Sequence, residues 1–233
     1  MLAVVLAGRL CAWQLSRAAQ KETLQAALDS RAGLPPMAAA DLARDPQAAA
    51  AQHYRPVQLR GRWVNERTVY LENRQMNGRP GFYVVTPLQL SPGDGAVLVQ
   101  RGWAPRDQAD RTRLPALPQT DGEVELRGLI APPPARLYDF APGGTGAIRQ
   151  NLDLGEFSRE SGLVLRPLSV MQLDAPGSAT PAAADGLLRQ WPRPALDVHK
   201  HYGYAFQWFA LGALMAGLYV WFQLVRPRLQ RRP

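Results

Sequence analysis

The chain has 233 residues, a formal charge of +8, a pI near 10.2, 46% apolar residues and a mean hydropathy of −0.23. That length holds one ordinary domain plus membrane segments, and the hydropathy excludes a polytopic transporter. The arginines are scattered through strand-like segments rather than gathered into a basic stripe, so no nucleic-acid partner is expected. The single cysteine, Cys11, excludes both an intramolecular disulfide framework and a multi-cysteine metal site.

The chain starts with an apolar run, MLAVVLAG, interrupted by Arg9 before Leu10–Trp13. Thirteen residues are too few to span a bilayer unaided, since a helix needs roughly 20 to cross about 30 Å of hydrocarbon. A signal peptide is the alternative, but no basic n-region and no small-residue cleavage pattern is present. Gln14–Ala32 is rich in helix formers with no breaker. The expectation is one helix running from membrane into water: residues 1–15 a first transmembrane helix that begins upstream of Met1, and residues 16–52 its extension and an Ala/Pro-rich linker. A short helix is expected near Asp41–Arg44.

From His53 the pattern changes to short β-type runs between turn residues. Strands are expected at Tyr54–Val64, Thr68–Glu72, Gly81–Leu90, Ala96–Trp103, Glu123–Ile130 and Leu165–Leu173. Asn73–Pro80 is expected to be a turn or loop and Ser91–Gly95 a tight turn. A short helix is expected at Leu154–Ser161, and loops at Pro132–Pro134 and Ala175–Gly186. Hairpin-like spacing implies a mainly antiparallel β barrel or sandwich-like domain over residues 53–200.

The C-terminal segment carries no charge in the 24 residues from Tyr202 to Val225. Tyr202, Tyr204 and Trp208 cluster at one end, and Tyr219 and Trp221 near the other, as two interfacial aromatic belts. Arg226, Arg228, Arg231 and Arg232 follow, which places that end in the cytoplasm by the positive-inside rule. Residues 201–225 are therefore expected to be a second transmembrane helix and 226–233 a basic cytoplasmic tail. With two helices flanking it, the β-rich domain lies on the far side. This is a two-pass, membrane-anchored α+β protein with both termini cytoplasmic. The far side is the periplasm of a bacterium or the intermembrane space of a mitochondrion. The Ala/Arg/Pro-rich composition favours a bacterial inner (cell) membrane.

No nucleophile elbow, Walker loop or dinucleotide fingerprint is present, and no enzymatic activity is expected. Gly143-Gly144-Thr145-Gly146 lacks a following Lys and a strand–helix frame, so it reads as a loop. Asp107, Asp110, Asp139 and Asp153 are scattered and default to a solvated surface. His53 opens a strand and reads as structural. His199 and His201 lie at the non-cytoplasmic end of the last helix. An imidazole there can ligate a metal or haem iron, or simply hydrogen-bond at the interface.

Seven separated motifs then line up: WQLSRAAQK (Trp13–Lys21), YRPVQLRGRW (Tyr54–Trp63), YLENR (Tyr70–Arg74), GRPGFYVVTPL (Gly78–Leu88), VLVQRGWAPR (Val97–Arg106), VELRGLI (Val124–Ile130) and HYGYAFQWF (His201–Phe209). Together, and in this order, they resemble the surfeit locus protein 1 family, assembly factors of cytochrome c oxidase. The resemblance covers nearly the whole chain. It implies two helices flanking an external domain and a role in building the haem-copper oxidase on its catalytic subunit. In bacterial members it implies receipt of haem a. Haem a synthase, other assembly factors and membrane lipid are the further partners it implies. The family's histidine pattern falls on His201, with Tyr204, Ala205, Trp208 and Phe209 matching and Tyr202 in place of a leucine. The resemblance therefore implies His201 as axial ligand to the haem iron, with Tyr204 and Trp208 as further cofactor-binding residues; a ring such as Trp208 can flank the porphyrin. Cys11 stands where the family has a small residue before Trp-Gln, and Arg9 is unexpected at that depth. Arg74 and Arg101 either pair with haem propionates or the oxidase, or are solvated strand-end charges. Three functions follow: a haem a-binding assembly factor, a haem-free scaffold that stabilises an oxidase intermediate, and a membrane-tethered enzyme, for which no motif exists.

Overall fold

The computed structural model describes residues 2–91, 93–110, 113–118, 122–138, 146–174, 185–191, 198–226 and 228. Asp139, Gly143–Thr145, most of the 175–186 loop, Arg231 and Arg232 lie outside these. The chain divides into two compact units. One is Ser30–Arg193, and the other combines Met1–Asp29 with Pro194–Pro233.

In the larger unit, seven strands form one sheet: β1 Pro56–Trp63, β2 Val69–Met76, β3 Arg79–Gln89, β4 Ala96–Pro105, β5 Glu123–Ala131, β6 Ile148–Arg149 and β7 Leu165–Gln172. Their spatial order is β1-β5-β7-β4-β3-β2-β6. Most pairings are antiparallel; β2–β6 and β4–β7 are parallel. The helices are α1 Leu2–Ala32, α2 Pro46–Gln52, α3 Leu154–Ser161 and α4 Val198–Val220. The mixed α+β class and the mainly antiparallel pairing hold.

The barrel or sandwich does not. There is a single sheet, and it curls until β1 meets β3 at only two register pairs, Arg62↔Gln89 and Trp63↔Leu88. The reason lies in β3. Its stretch from Arg79 to Val85 is already paired with β2 along the edge that a closed barrel would give to β1. Only the end of β3 remains for β1. Gly61 permits this approach, because a Cβ there would collide with the Gln89 carbonyl.

Local chemistry explains most element ends. Asn77 and Gly78 both have positive φ, 52° and 74°, which is the two-residue type I′ turn that suits a twisted hairpin. The stretch expected as a loop, Asn73–Pro80, is thus the closing end of the β2–β3 hairpin. Asp45 caps α2, its side chain accepting from Ala48 N, with Pro46 at the first helical position. This helix and β6 were not expected, and a 3₁₀ turn at Ala39–Asp41 stands where a helix at Asp41–Arg44 was. Asp153 caps α3 and Gly162 ends it in the left-handed region, which confirms Leu154–Ser161.

The core follows strand alternation. β1 buries Val57, Leu59, Gly61 and Trp63 and exposes Gln58, Arg60 and Arg62. Its buried face joins Leu88, Val97, Val99, Ile130, Leu168 and Val170 in the main cluster. A second cluster puts Phe157 of α3 against Leu71, Val85 and Leu98.

The helix α1 is continuous from Leu2 to Ala32, as expected for a helix with no breaker, and its residues up to Asp29 belong to the smaller unit. Among the described residues one helix, His199–Leu224, is long and apolar enough to cross a membrane. Its mean hydropathy is 1.4 and only 6% of its apolar window is buried, unlike a core helix. It fits a membrane anchor. α1 does not meet the same requirement: Arg9 divides its apolar start and polar residues follow Trp13. Among the described residues one of the two expected spans is thus matched, and α1 by itself does not supply the other.

Gly61→Ala is expected to force β1 and β3 apart and cost about 1–3 kcal/mol, the usual cost of overpacking. Urea unfolding of the purified chain reads this as a lower midpoint; an unchanged midpoint would refute the β1–β3 junction.

Candidate functional site

The residues named from sequence fall into two groups. The first lies on α1 and α4. His201, Ala205, Trp208 and Gly212 follow one another at four- and three-residue steps, which keeps them on one helix face. Across from them on α1 are Gln14, Cys11 and Gly8. Ala205, Ala18 and Ala7 are buried, with 3%, 0% and 2% of their surface exposed. A Cβ on Gly212 would lie 3.3 Å from the Ala7 Cβ, so small residues set the approach of the two helices here.

Two polar bonds tie the helices together. The His201 ring binds Gln14 through Nδ1 and Oε1 at 2.7 Å, and Tyr202 donates its hydroxyl to Glu22 at 2.9 Å. Below this pair lies a groove of about 420 Å3, almost wholly apolar in its lining. Trp208 and Phe209 wall it from α4, Cys11 and Leu15 from α1, and Gly8 and Gly212 leave the room. His201 is half-buried, Tyr204 is 54% exposed and His199 is exposed. The structure thus brings His201 and Trp208 to one face and leaves Tyr204 turned away from the groove. Cys11, placed by sequence only as an oddity, is one of its walls and a free thiol. Gln14 was not singled out. The signal was available: it is a polar residue on the α1 face that Cys11 and Ala18 share, inside the Trp-Gln motif.

These residues fit the group that the resemblance implies. His201 has one ring nitrogen held by Gln14, and Nε2 has no hydrogen bond among the described residues. An amphiphile with a flat ring and an apolar tail suits an imidazole adjoining an apolar groove. Among the described residues no cluster of three or more His, Cys, Asp or Glu could hold a metal ion. A single imidazole is a proper donor for an iron already bound by a porphyrin, and not for a bare ion.

The second group is in the sheet. Arg74 and Arg101 are not solvated strand-end charges: only 6% and 4% of their surface is exposed. Both sit at irregularities in the strand register, Arg74 after the shift that follows Leu71 and Arg101 between Gln100 and Gly102. Such bulges re-aim a side chain. Arg74 donates to the carbonyls of Ala135 (2.8 Å) and Gln150 (3.0 Å), clamping two loops. Arg101 lies over the Trp63 ring, 4.7 Å from its centroid, and its buried Nε and Nη1 have no hydrogen-bond partner. Burial pulls both guanidinium pKa values below the ordinary arginine range. Arg166 and Arg189 are buried too, and sequence reading missed them. Arg166 bonds Leu42 O, Asp94 O and the Asp94 carboxylate, and Arg189 pairs with Asp174 and Asp185.

The remaining candidates are structural. His53 follows α2, and burial, then the neighbouring Arg31 charge, push its pKa below the usual histidine value. Asp107 closes a turn by accepting from Ala109 and Asp110 N–H groups, and Asp153 caps α3.

Fold and site together define a curled β-sheet domain in a chain that has, among the described residues, one apolar, anchor-like helix with a histidine on its α1-facing side. The chain belongs to the SURF1 family, whose family model matches residues 1–213. It is 29% identical to a SURF1-like protein of Drosophila melanogaster over 93% of this chain and 73% of that one. It is 28% identical to human surfeit locus protein 1 over 96% of this chain and 75% of the relative. A SURF1-like protein of Rickettsia felis is 26% identical, covering 89% of this chain and 88% of its own.

Arg74 and Arg101 should behave in opposite ways. Arg74→Ala removes both part-buried clamps, to Ala135 O and Gln150 O, and is expected to destabilise by about 1–2 kcal/mol. Arg101→Met removes a buried charge whose Nε and Nη1 lack hydrogen bonds, and is expected to be neutral or stabilising. Paired urea melts decide this; equal losses for both would show that Arg101 has a partner of its own.

Proposed function

We propose that this chain is a membrane-anchored assembly factor for cytochrome c oxidase that binds haem a through His201 and assists its placement in the catalytic subunit. The observation that carries this reading is the His201 imidazole, held through Nδ1 on the same face as Trp208 and next to an apolar groove. The family membership supports the assembly role, and the sequence resemblance supplies the oxidase and haem a.

Haem a is the cargo here. It brings an iron with an open axial position and a long apolar tail; the protein has only to hold and release it. His201 would hold the iron, Trp208 would flank the ring, and the groove walls of α1 and α4 would take apolar surface out of water. Tyr204, exposed three residues from His201, would meet the ring or the receiving subunit. A single protein ligand keeps binding weak enough for transfer. The role is non-catalytic. The partners are the catalytic subunit, haem a synthase or another assembly factor on the donor side, and membrane lipid.

The topology that fits is two-pass in a bacterial inner membrane, with the β domain periplasmic and both ends cytoplasmic. Arg226 and Arg228 at the end of the apolar helix favour a cytoplasmic end. The exposed Leu2, Val5, Leu6 and Trp13 of α1 suit contact with lipid.

Two measurements test this. Protein purified in detergent from cells that make haem a should show a haem a absorption band, lost in His201→Ala with the far-ultraviolet spectrum unchanged. Co-purification with the oxidase subunit but no band would favour the haem-free scaffold instead. Protease added to spheroplasts should cut the Ser30–Arg193 unit and spare tags at both ends; loss of either tag would sink the two-pass topology.

A further inference from the structure

His201 is held through one ring nitrogen by Gln14 of α1. We infer that Gln14 is a positioning residue, which fixes His201 as the Nδ1–H tautomer and so directs the Nε2 lone pair toward any incoming iron. The purpose rests on the haem reading above; the tautomer does not.

A neutral imidazole bears one proton, and either nitrogen can carry it. The Gln14 oxygen that faces Nδ1 is a carbonyl oxygen and can only accept. At 2.7 Å the contact has full hydrogen-bond length, and with the amide oxygen facing the ring the inferred proton lies on Nδ1. Nε2 is then left with a lone pair, the form in which histidine ligates a metal. Histidines that bind metals generally donate their other ring N–H to an oxygen, which fixes both tautomer and ring angle. The bond joins residues 187 apart in sequence, one on each helix. It also sits above an apolar groove, where a hydrogen bond is stronger than in water.

The chemistry of the partner matters as much as its presence. Glu22 on the same helix as Gln14 accepts from the Tyr202 hydroxyl. His201 is left with a neutral amide. A carboxylate partner would make the imidazole a stronger donor and hold iron harder. An amide orients it without strengthening it much. That suits a site which must give its cargo away.

The experiment uses the full chain in detergent micelles with 15N-labelled histidine rings, the His201 signals being assigned by their loss in His201→Ala. Without haem, wild-type His201 should show a protonated Nδ1 and a bare Nε2. Gln14→Leu should shift it toward the Nε2–H form that free histidine favours, and Gln14→Glu should retain Nδ1–H. Haemin titration should then give about 10-fold weaker binding for Gln14→Leu, the lower end of the usual range for such outer partners. For Gln14→Glu it should give slower loss of haemin to apomyoglobin and a lower reduction potential. A wild-type Nε2–H tautomer, or one unchanged in Gln14→Leu, overturns the inference. The expected tautomers with no haemin binding by any variant would leave Gln14 as positioning residue and count against the haem reading alone.

Discussion

The β domain depends on a strand with no solvent face. All but the last residue of β4, Ala96–Pro105, is buried. It pairs antiparallel with β3 on one edge and parallel with β7 on the other. A strand covered on both faces must be apolar or must satisfy its polar groups internally. Ala96–Val99 takes the first course. Gln100 takes the second, donating to Ser169 of β7, and Ser169 in turn bonds Pro132 O. Trp103 closes the strand with its indole N–H on Arg74 O.

Buried arginines follow from the same constraint. The domain is basic and its sheet is curled, so some guanidinium groups are enclosed. Arg74, Arg166 and Arg189 each bond carbonyls or carboxylates through their terminal nitrogens and act as cross-links between loops and sheet, although the buried Nε of Arg74 and of Arg189 has no hydrogen-bond partner among the described residues. Arg74 also lies over the Tyr83 ring, 5.9 Å from its centroid, while Arg101 rests on Trp63 with its buried Nε and Nη1 unbonded. This is why the sheet arginines are better read as architecture than as a docking surface.

The helix pair follows a different logic. Its contact is made by glycine and alanine, which bring α1 and α4 close with little side-chain interlock. Two polar bonds then set the arrangement of helices whose apolar residues are mostly exposed. Large rings on one helix opposite small residues on the other leave the groove. A site built in this way has one strong donor and an adaptable apolar wall.

Much of this was legible in the residues. Strand alternation, the Asn-Gly turn, the caps of α3 and the length and belts of the last helix all arise from neighbours within a few positions, where local physics is decisive. The run of seven motifs was enough to place the family. The tertiary structure alone decided the rest. The parallel pairing of β4 with β7, the occupation of β3's edge by β2 that prevents a closed barrel, and the burial of Arg74 and Arg101 depend on segments far apart in the chain. So does the Gln14–His201 bond. Each is a pairing energy between residues that no local window contains, and so periodicity and propensity could name His201 as a candidate but could not say what holds it.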